Sequence, residues 1–360
     1  MRKEQSIKLI LEDGTEFIGT CFGYGKSVSG EVVFNTAMIG YPESMTDPSY
    51  KGQILVLTYP LVGNYGVPGN DQEDKLEKFF ESYAMHISGL IISDYTEEYS
   101  HWNGQKSLGQ WLKEYEVPGI YGIDTRELTK ILREKGTMIG KIIYNDQDVP
   151  MYNPATENQV ARVSIKEKKV FGNGKYKIVL IDCGVKYNII RNLIKRDSTV
   201  TLVPWDYDFT NDDYDGLFIS NGPGDPKHCV ETVKNLRKAF EGNKPITGIC
   251  LGNQLMGLAA GADTYKLKYG HRSHNQPVIQ VGTDKSFITS QNHGYATNND
   301  TLPDNWEPLF INLNDNTNEG VRHKTKPFFS SQFHPEASSG PTDTEFLFDM
   351  FMDNIKNGKQ

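Results

Sequence analysis

Pro245-Ile246-Thr247-Gly248-Ile249-Cys250-Leu251-Gly252-Asn253-Gln254 decides how this 360-residue chain folds. An apolar run of strand length ends in Gly-x-Cys-x-Gly, and a helix-forming run through Leu255, Met256 and Leu258 follows. Glycines on either side of a reactive residue permit a sharp strand-to-helix turn that presents it above a sheet. The partial positive charge at the start of the following helix favours negative charge on the sulfur. The Leu251 N–H is then placed to stabilise an oxyanion. Taken alone, Cys250 fits a buried, inert cysteine equally well, so the rest of the chain has to decide.

The sequence around this stretch repeats a strand–helix rhythm. Residues 177–181, 199–203, 216–220 and 245–249 read as short apolar strands, and 188–195 and 230–240 as helices between them. Buried strands alternating with amphipathic helices predict a parallel sheet covered on both faces, with ligands at the carboxyl ends of the strands. Three further segments fall at such ends. Residues 328–333 form an apolar strand that runs into His334-Pro335-Glu336, where alternation sends His334 and Glu336 to one side. A cysteine nucleophile needs a base and the base needs an orienting acceptor, roles that His334 and Glu336 fit. Ser220-Asn221-Gly222-Pro223-Gly224-Asp225-Pro226 follows a strand and offers backbone amides with few obstructing side chains, though an ordinary turn has the same composition. Ser290-Gln291-Asn292-His293-Gly294-Tyr295 follows the strand-like residues 287–289 with polar groups.

The first half has a different pattern. Residues 7–11 and 15–19 flank Glu12-Asp13-Gly14 as a hairpin, and 31–36 and 53–57 are further strands. Residues 124–136 take helical spacing through Leu128, Ile131 and Leu132, with Gly136 as C-cap. Periodicity is lost over 151–174, so the expected organisation is a β-rich domain over 1–150, a linker over 151–174 and an α/β domain over 175–360.

Composition excludes several function classes. A net charge of −8 with no basic run offsetting it argues against nucleic acid. The densest basic cluster, residues 166–169, falls in the expected linker. Cys21, Cys183, Cys229 and Cys250 contain no C-x-x-C pair, so neither a disulfide framework nor a zinc pattern is expected, and a reducing cytoplasm fits. Residues 1–5 lead towards a strand rather than a signal sequence. No segment approaches the ~18 apolar residues of a membrane span. His271 and His274 tempt as metal ligands, but no carboxylate or cysteine pattern joins them, and no metal is expected. Gly19, Gly23 and Gly25 precede no helix and read as turns.

With these loops in view, the second half resembles a triad glutamine amidotransferase domain. The likeness rests on 248–252, 221–226 and Gln332-Phe333-His334-Pro335-Glu336 in that order. The first half, through residues 35–43, Thr46-Asp47-Pro48-Ser49-Tyr50, Thr58-Tyr59-Pro60 and 122–129, resembles the carbamoyl phosphate synthase small chain; Asp182-Cys183-Gly184-Val185-Lys186-Tyr187-Asn188-Ile189 continues that likeness. Together the motifs span nearly the whole chain. The resemblance implies an N-terminal swivelling β/β/α domain followed by a flavodoxin-like α/β domain. It implies glutamine hydrolysis through a Cys250 thioester, with His334 as general base and acid and Glu336 orienting it. Ser49, Gly222, Gly224, Leu251, Gln254, Asn292, Gly294 and Tyr295 match positions that surround glutamine in the family, with Ser49 contributed by the first domain. The overall reaction implied makes carbamoyl phosphate, for arginine or pyrimidine synthesis, from glutamine, bicarbonate and two ATP.

Three positions depart from the family pattern: Asn253 where His is frequent, Tyr295 where Phe is commoner, and Ser273-His274 in a stretch that usually carries glycine. No Gly-x-x-x-x-Gly-Lys-Ser/Thr loop is present. ATP and Mg are therefore expected on a large partner chain, with no cofactor on this one, in a heterodimer or higher assembly. The rival readings are the glutaminase subunit of another synthase, such as one acting on chorismate, and a regulatory chain that has kept the fold.

Overall fold

The computed structural model describes residues 6–358. Residues 1–5, read as the lead-in to the first strand, lie outside the described residues. The chain divides into two compact units, Met1–Thr156 and Glu157–Gln360.

In the first unit, seven strands close into a barrel. Their order is Ser6–Leu11, Glu16–Cys21, Gly119–Tyr121, Gly89–Ile91, Gln53–Leu57, Val28–Asn35 and Met138–Tyr144, returning to the first. The hairpin at Glu12-Asp13-Gly14 forms as the turn residues dictate, with Leu11 N–H donating to Thr15 O at 2.9 Å and Gly14 at φ 86°. The helix Thr125–Lys135 is capped by Asp124, whose carboxylate accepts from Glu127 N–H at 2.8 Å, and ends at Gly136 with φ 103°. Tyr50, Leu55, Leu90 and Trp111 pack in the core of this unit.

The second unit is built on a ten-stranded sheet. Its parallel part runs Ser198–Pro204, Tyr176–Asp182, Gly216–Ile219, Ile246–Ile249 and Phe328–Ser331. In chain order this is 2-1-3-4-5, the flavodoxin-like arrangement, whose ligands lie where the strand order reverses. Alternation along Gly216–Ile219 separates the two faces. Leu217 and Ile219 pack with Leu236, Leu255 and Met256 from the helices Val230–Ala239 and Leu251–Ala260. Phe218 instead stacks on Phe348 at a centroid distance of 5.8 Å and meets Phe351 edge-on at 5.5 Å, both from the helix Phe346–Gly358. The sheet is therefore covered on both sides, as its apolar strands predict. Beyond Phe328–Ser331 it continues antiparallel through Asn318–His323, Trp306–Asn312, Thr264–Gln280 and Ser286–Thr297.

Residues 151–174 are not a featureless connector. They contain the short helix Val160–Val163 and the strand Lys169–Phe171, which pairs antiparallel with Ser198–Pro204 as the sheet edge. The physical reason is local: Ile165 N–H is held by the Asp182 carboxylate at 2.8 Å, so the segment follows the sheet rather than leaving it.

Candidate active site

Ile246–Ile249 and Phe328–Ser331 are adjacent parallel strands, with Gly248 opposite Ser330. Both chains therefore emerge at the same sheet end, one delivering Cys250 and the other His334. Cys250 sits at φ 55°, ψ −103°, between the strand and the helix Leu251–Ala260. A non-glycine residue in that region is strained, and such strain persists only where the surroundings over-determine it. Here they do. Cys250 N–H donates to Ser331 O at 2.8 Å. A Cβ on Gly252 would lie 2.4 Å from Ile219 O, and one on Gly248 would lie 2.7 Å from the Gly252 carbonyl carbon. Both glycines of the motif are thus required by close backbone approach. The thiol is buried and donates to Asn292 O at 3.6 Å.

His334 and Glu336 are fully enclosed, and His334 Nδ1 lies 2.6 Å from Glu336 Oε1. Lys186 Nζ approaches the same carboxylate oxygen at 3.1 Å and donates to Ala337 O at 2.5 Å. Asn188 donates its side-chain amide to Glu336 O. Burial alone would raise the Glu336 carboxyl, but Lys186 and His334 outweigh it and hold it down at about 2. Burial likewise opposes charge on His334, yet Glu336 and the nearby Cys250 sulfur shift the ring well upward. An ionised Glu336 accepting from Nδ1–H fixes the tautomer that leaves Nε2 for chemistry. Among the described residues that Nε2 has no hydrogen-bond partner of ordinary geometry, and the Cys250 side chain is the group that acts on it.

The loop after Gly216–Ile219 is held at the switch point by two buried side chains. Ser220 Oγ accepts from Cys183 N–H at 2.9 Å and donates to Asn221 O at 2.8 Å. Asn221 Oδ1 accepts from Lys186 N–H at 3.0 Å. Gly222 beyond them is close to both Cys183 and Leu251, since a Cβ there would meet Cys183 O at 2.1 Å and Leu251 Cδ2 at 2.9 Å. Gln254, one turn into the helix, donates to Tyr295 O at 2.9 Å and to Gln332 Oε1 at 3.1 Å.

The second unit thus gathers Cys250, Leu251, Gln254, Gly222, Asn292, Tyr295, His334 and Glu336 by direct contact or adjacency. Gly224 follows one residue beyond Pro223, against Gln159, and Gly294 lies near Arg272. Ser49 belongs to the first unit, buried in the 3₁₀ turn Pro48–Tyr50, with its N–H on the Asp47 carboxylate at 2.9 Å.

Two departures from the family pattern acquire a structural explanation. Asn253 bridges Ser330 Oγ, accepting at 2.7 Å, and Gln332 Oε1, donating at 3.1 Å, so this side chain ties helix to strand away from the thiol. Ser273-His274 falls at a register shift between Thr264–Gln280 and Ser286–Thr297. A bulge accommodates side chains there, and His274 Nε2 meets Ser339 Oγ at 3.3 Å.

Lys186 is the site residue that motif reading did not assign. It sits in the quoted stretch 182–189, and its signal, a lysine four residues after Asp182 among apolar and turn residues, says nothing of burial until Glu336 is placed beside it. His271, considered with His274 as a ligand pair, instead meets His293 and Glu319, with one ligand atom of each within 4.8 Å of the others.

Comparison with known proteins agrees with this architecture. Residues 9–142 match the family described as carbamoyl-phosphate synthase small chain, CPSase domain, and residues 179–354 match glutamine amidotransferase class-I. The carbamoyl phosphate synthase arginine-specific small chain of Saccharomyces cerevisiae is 51% identical over 360 residues, covering 96% of this chain and 88% of the yeast one. Human mitochondrial carbamoyl-phosphate synthase (ammonia) is 52% identical over 99% of this chain, which spans 24% of the human protein. The multifunctional protein CAD of Squalus acanthias is 53% identical over 98% of this chain, which spans 16% of that protein.

Proposed function

The chain belongs to the carbamoyl phosphate synthase small-chain family, and from that premise we propose that it is the glutamine-hydrolysing part of such a synthase. The observation that carries the reading is the convergence of Cys250, on a strained elbow, with a His334–Glu336 pair at the same sheet end. Cys250 attacks the side-chain carbonyl of L-glutamine as His334 takes the thiol proton. His334 then returns that proton to the departing ammonia, leaving a glutamyl thioester. It next activates the water that releases glutamate. Glu336 keeps the imidazole in the working tautomer throughout. The N–H groups of Gly222 and Leu251 would hold the oxyanion, for which the closeness of the two residues is suited. Gly224, Gln254, Asn292, Gly294 and Tyr295 would line the substrate, and Ser49 is added from the family likeness alone.

The ammonia passes to a large ATP-dependent chain that makes carbamoyl phosphate from bicarbonate, for arginine or pyrimidine synthesis. ATP and Mg are assigned to that partner. No helix among the described residues is long and apolar enough to cross a membrane, and the cysteine pattern fits a cytoplasmic setting.

The test is Cys250→Ser. Serine, whose hydroxyl ionises far above the ~8.5 of a free thiol, is a much poorer nucleophile in this position. Glutamine-dependent synthesis should vanish while synthesis from added ammonia, measured with the large chain, continues. Glutamine turnover near the parent rate would show that another residue is the nucleophile.

A further inference from the structure

His271 lies outside the catalytic pair, in the strand Thr264–Gln280, and is buried. Its Nε2 is 2.9 Å from Asp315 Oδ2. Its Nδ1 is 2.9 Å from Gln291 Oε1 and 3.4 Å from Glu319 Oε1. The Gln291 atom is an oxygen on chemical grounds. The amide nitrogen of that side chain donates to Thr289 Oγ1 at 3.1 Å, and the Thr289 proton is committed to Gln276 O at 2.8 Å. Gln291 Oε1 and the Asp315 carboxylate thus face the two ring nitrogens as acceptors, and the carboxylate on Nε2 favours a proton on both. The Asp315 carboxylate against Nε2 makes His271 an imidazolium, while burial pushes the Glu319 carboxyl beside Nδ1 upward against the opposing charge of His271.

The charge has a geometric consequence. His293 packs edge-on against His271 at a centroid distance of 4.9 Å. Its Nδ1–H donates to Tyr295 O at 2.8 Å, which leaves the Nε2 lone pair facing Gln291 Oε1 at 3.1 Å. Burial, then the charges of His271 and Arg272, keep His293 neutral. Lone pair against oxygen is repulsive. The same amide oxygen accepts from His271 Nδ1–H, which holds it in place against that contact. The chain of contacts His271–Gln291–His293–Tyr295 brackets Asn292, whose carbonyl takes the Cys250 thiol. It ends at the carbonyl that also accepts from Gln254.

We propose that His271 is a positioning residue: as a cation between Asp315 and Glu319 it fixes Gln291 and His293, and so sets the segment 291–295 against which the substrate glutamine lies. This rests on the glutaminase reading. The charged or titratable groups around the ring are Asp315 in the turn before Asn318–His323, Glu319 in that strand, His293 in Ser286–Thr297, and Arg272 and Tyr265 in its own strand. Burial opposes the His271 charge, but Asp315 and Glu319 prevail and raise the ring to about 9. The positioning should therefore hold below that pH and fade as the pH rises through it.

The experiment compares the unsubstituted full chain with His271→Gln and the milder Asp315→Asn, each bound to the large chain. His271→Gln should raise KM for glutamine roughly tenfold or more with kcat changed far less, as expected on losing a charge-assisted hydrogen bond. Asp315→Asn should raise it less. The KM ratio of His271→Gln to the unsubstituted chain should shrink towards one as the pH passes about 9. Nitrogen-15 NMR of labelled histidine should show both His271 nitrogens protonated at neutral pH. An unchanged KM in both variants, a singly protonated ring, or one tightly held zinc per chain lost in His271→Gln would each overturn the proposal. If the unsubstituted chain leaves glutamine untouched, the glutaminase reading falls and takes this inference with it.

Discussion

Glu336 lies buried between Lys186 and His334, so its replacement does more than loosen an imidazole. Glu336→Gln keeps an oxygen for Nδ1–H but strands Lys186 as a buried cation. Breaking such a pair from one side costs about 3–5 kcal/mol. The variant should lose that much stability in urea unfolding, and Lys186→Met added to it should restore most of the loss. Failure of the second substitution to restore stability would mean that Lys186 is not the stranded partner. In rate the order reverses. His334→Asn should lower kcat by roughly 10²–10⁴, the usual worth of general acid–base assistance, and Glu336→Gln by less. The acid limb follows from the depressed Glu336 carboxyl. Its contribution to stability is complete above the ordinary value of 4.5 and is lost as the pH falls towards about 2. Cys250 and His334 are legible in the sequence because each ends an apolar strand beside glycine or proline. Lys186 is not, because its burial depends on a carboxylate far along the chain.

Elements that obey a single period are read from sequence with little error. The parallel strands and the helices Tyr187–Ile194 and Val230–Ala239 fall within a residue or two of their expected bounds. The long hairpin Thr264–Gln280 with Ser286–Thr297 does not announce itself, because two register shifts break its alternation and polar residues such as His271, Arg272, Ser273 and Gln291 are buried. The helix Phe346–Gly358 carries apolar residues at 347, 348, 351, 352 and 355, a helical period that no adjoining motif points to. The elbow gives the sharpest prediction at this scale. Gly252→Ala forces a methyl to within 2.4 Å of Ile219 O, so the helix must shift. Overpacking of this kind costs about 1–3 kcal/mol. Thermal unfolding should register that loss, and alkylation of Cys250 by iodoacetamide should change in rate. A variant with unchanged melting and labelling would show that the elbow has room to spare.

On the proposed reading, the described residues supply a nucleophile, a base and an orienting carboxylate, and the ammonia goes to a partner chain. The isolated protein should therefore hydrolyse glutamine slowly and accelerate when the large chain, bicarbonate and ATP are added, since small misplacements of reacting groups cost large factors in rate. Equal rates in all conditions would remove the coupling and leave the glutaminase assignment standing. Ser49→Ala should raise the glutamine requirement modestly, as the loss of one neutral hydrogen bond at about 0.5–1.5 kcal/mol allows; an unchanged half-saturation would place Ser49 outside the substrate's reach. The position of Phe328–Ser331, between Ile246–Ile249 and Asn318–His323, also governs how the protein is made. On the ribosome the nucleophile strand emerges roughly 80 residues ahead of its neighbour, an interval of about 4–16 s at ordinary rates of synthesis. During that time a central strand presents an open, apolar edge, the kind that recruits wrong partners. The segment that finally covers it leads into His334, so the nascent chain brings His334 beside Cys250 only as the sheet closes.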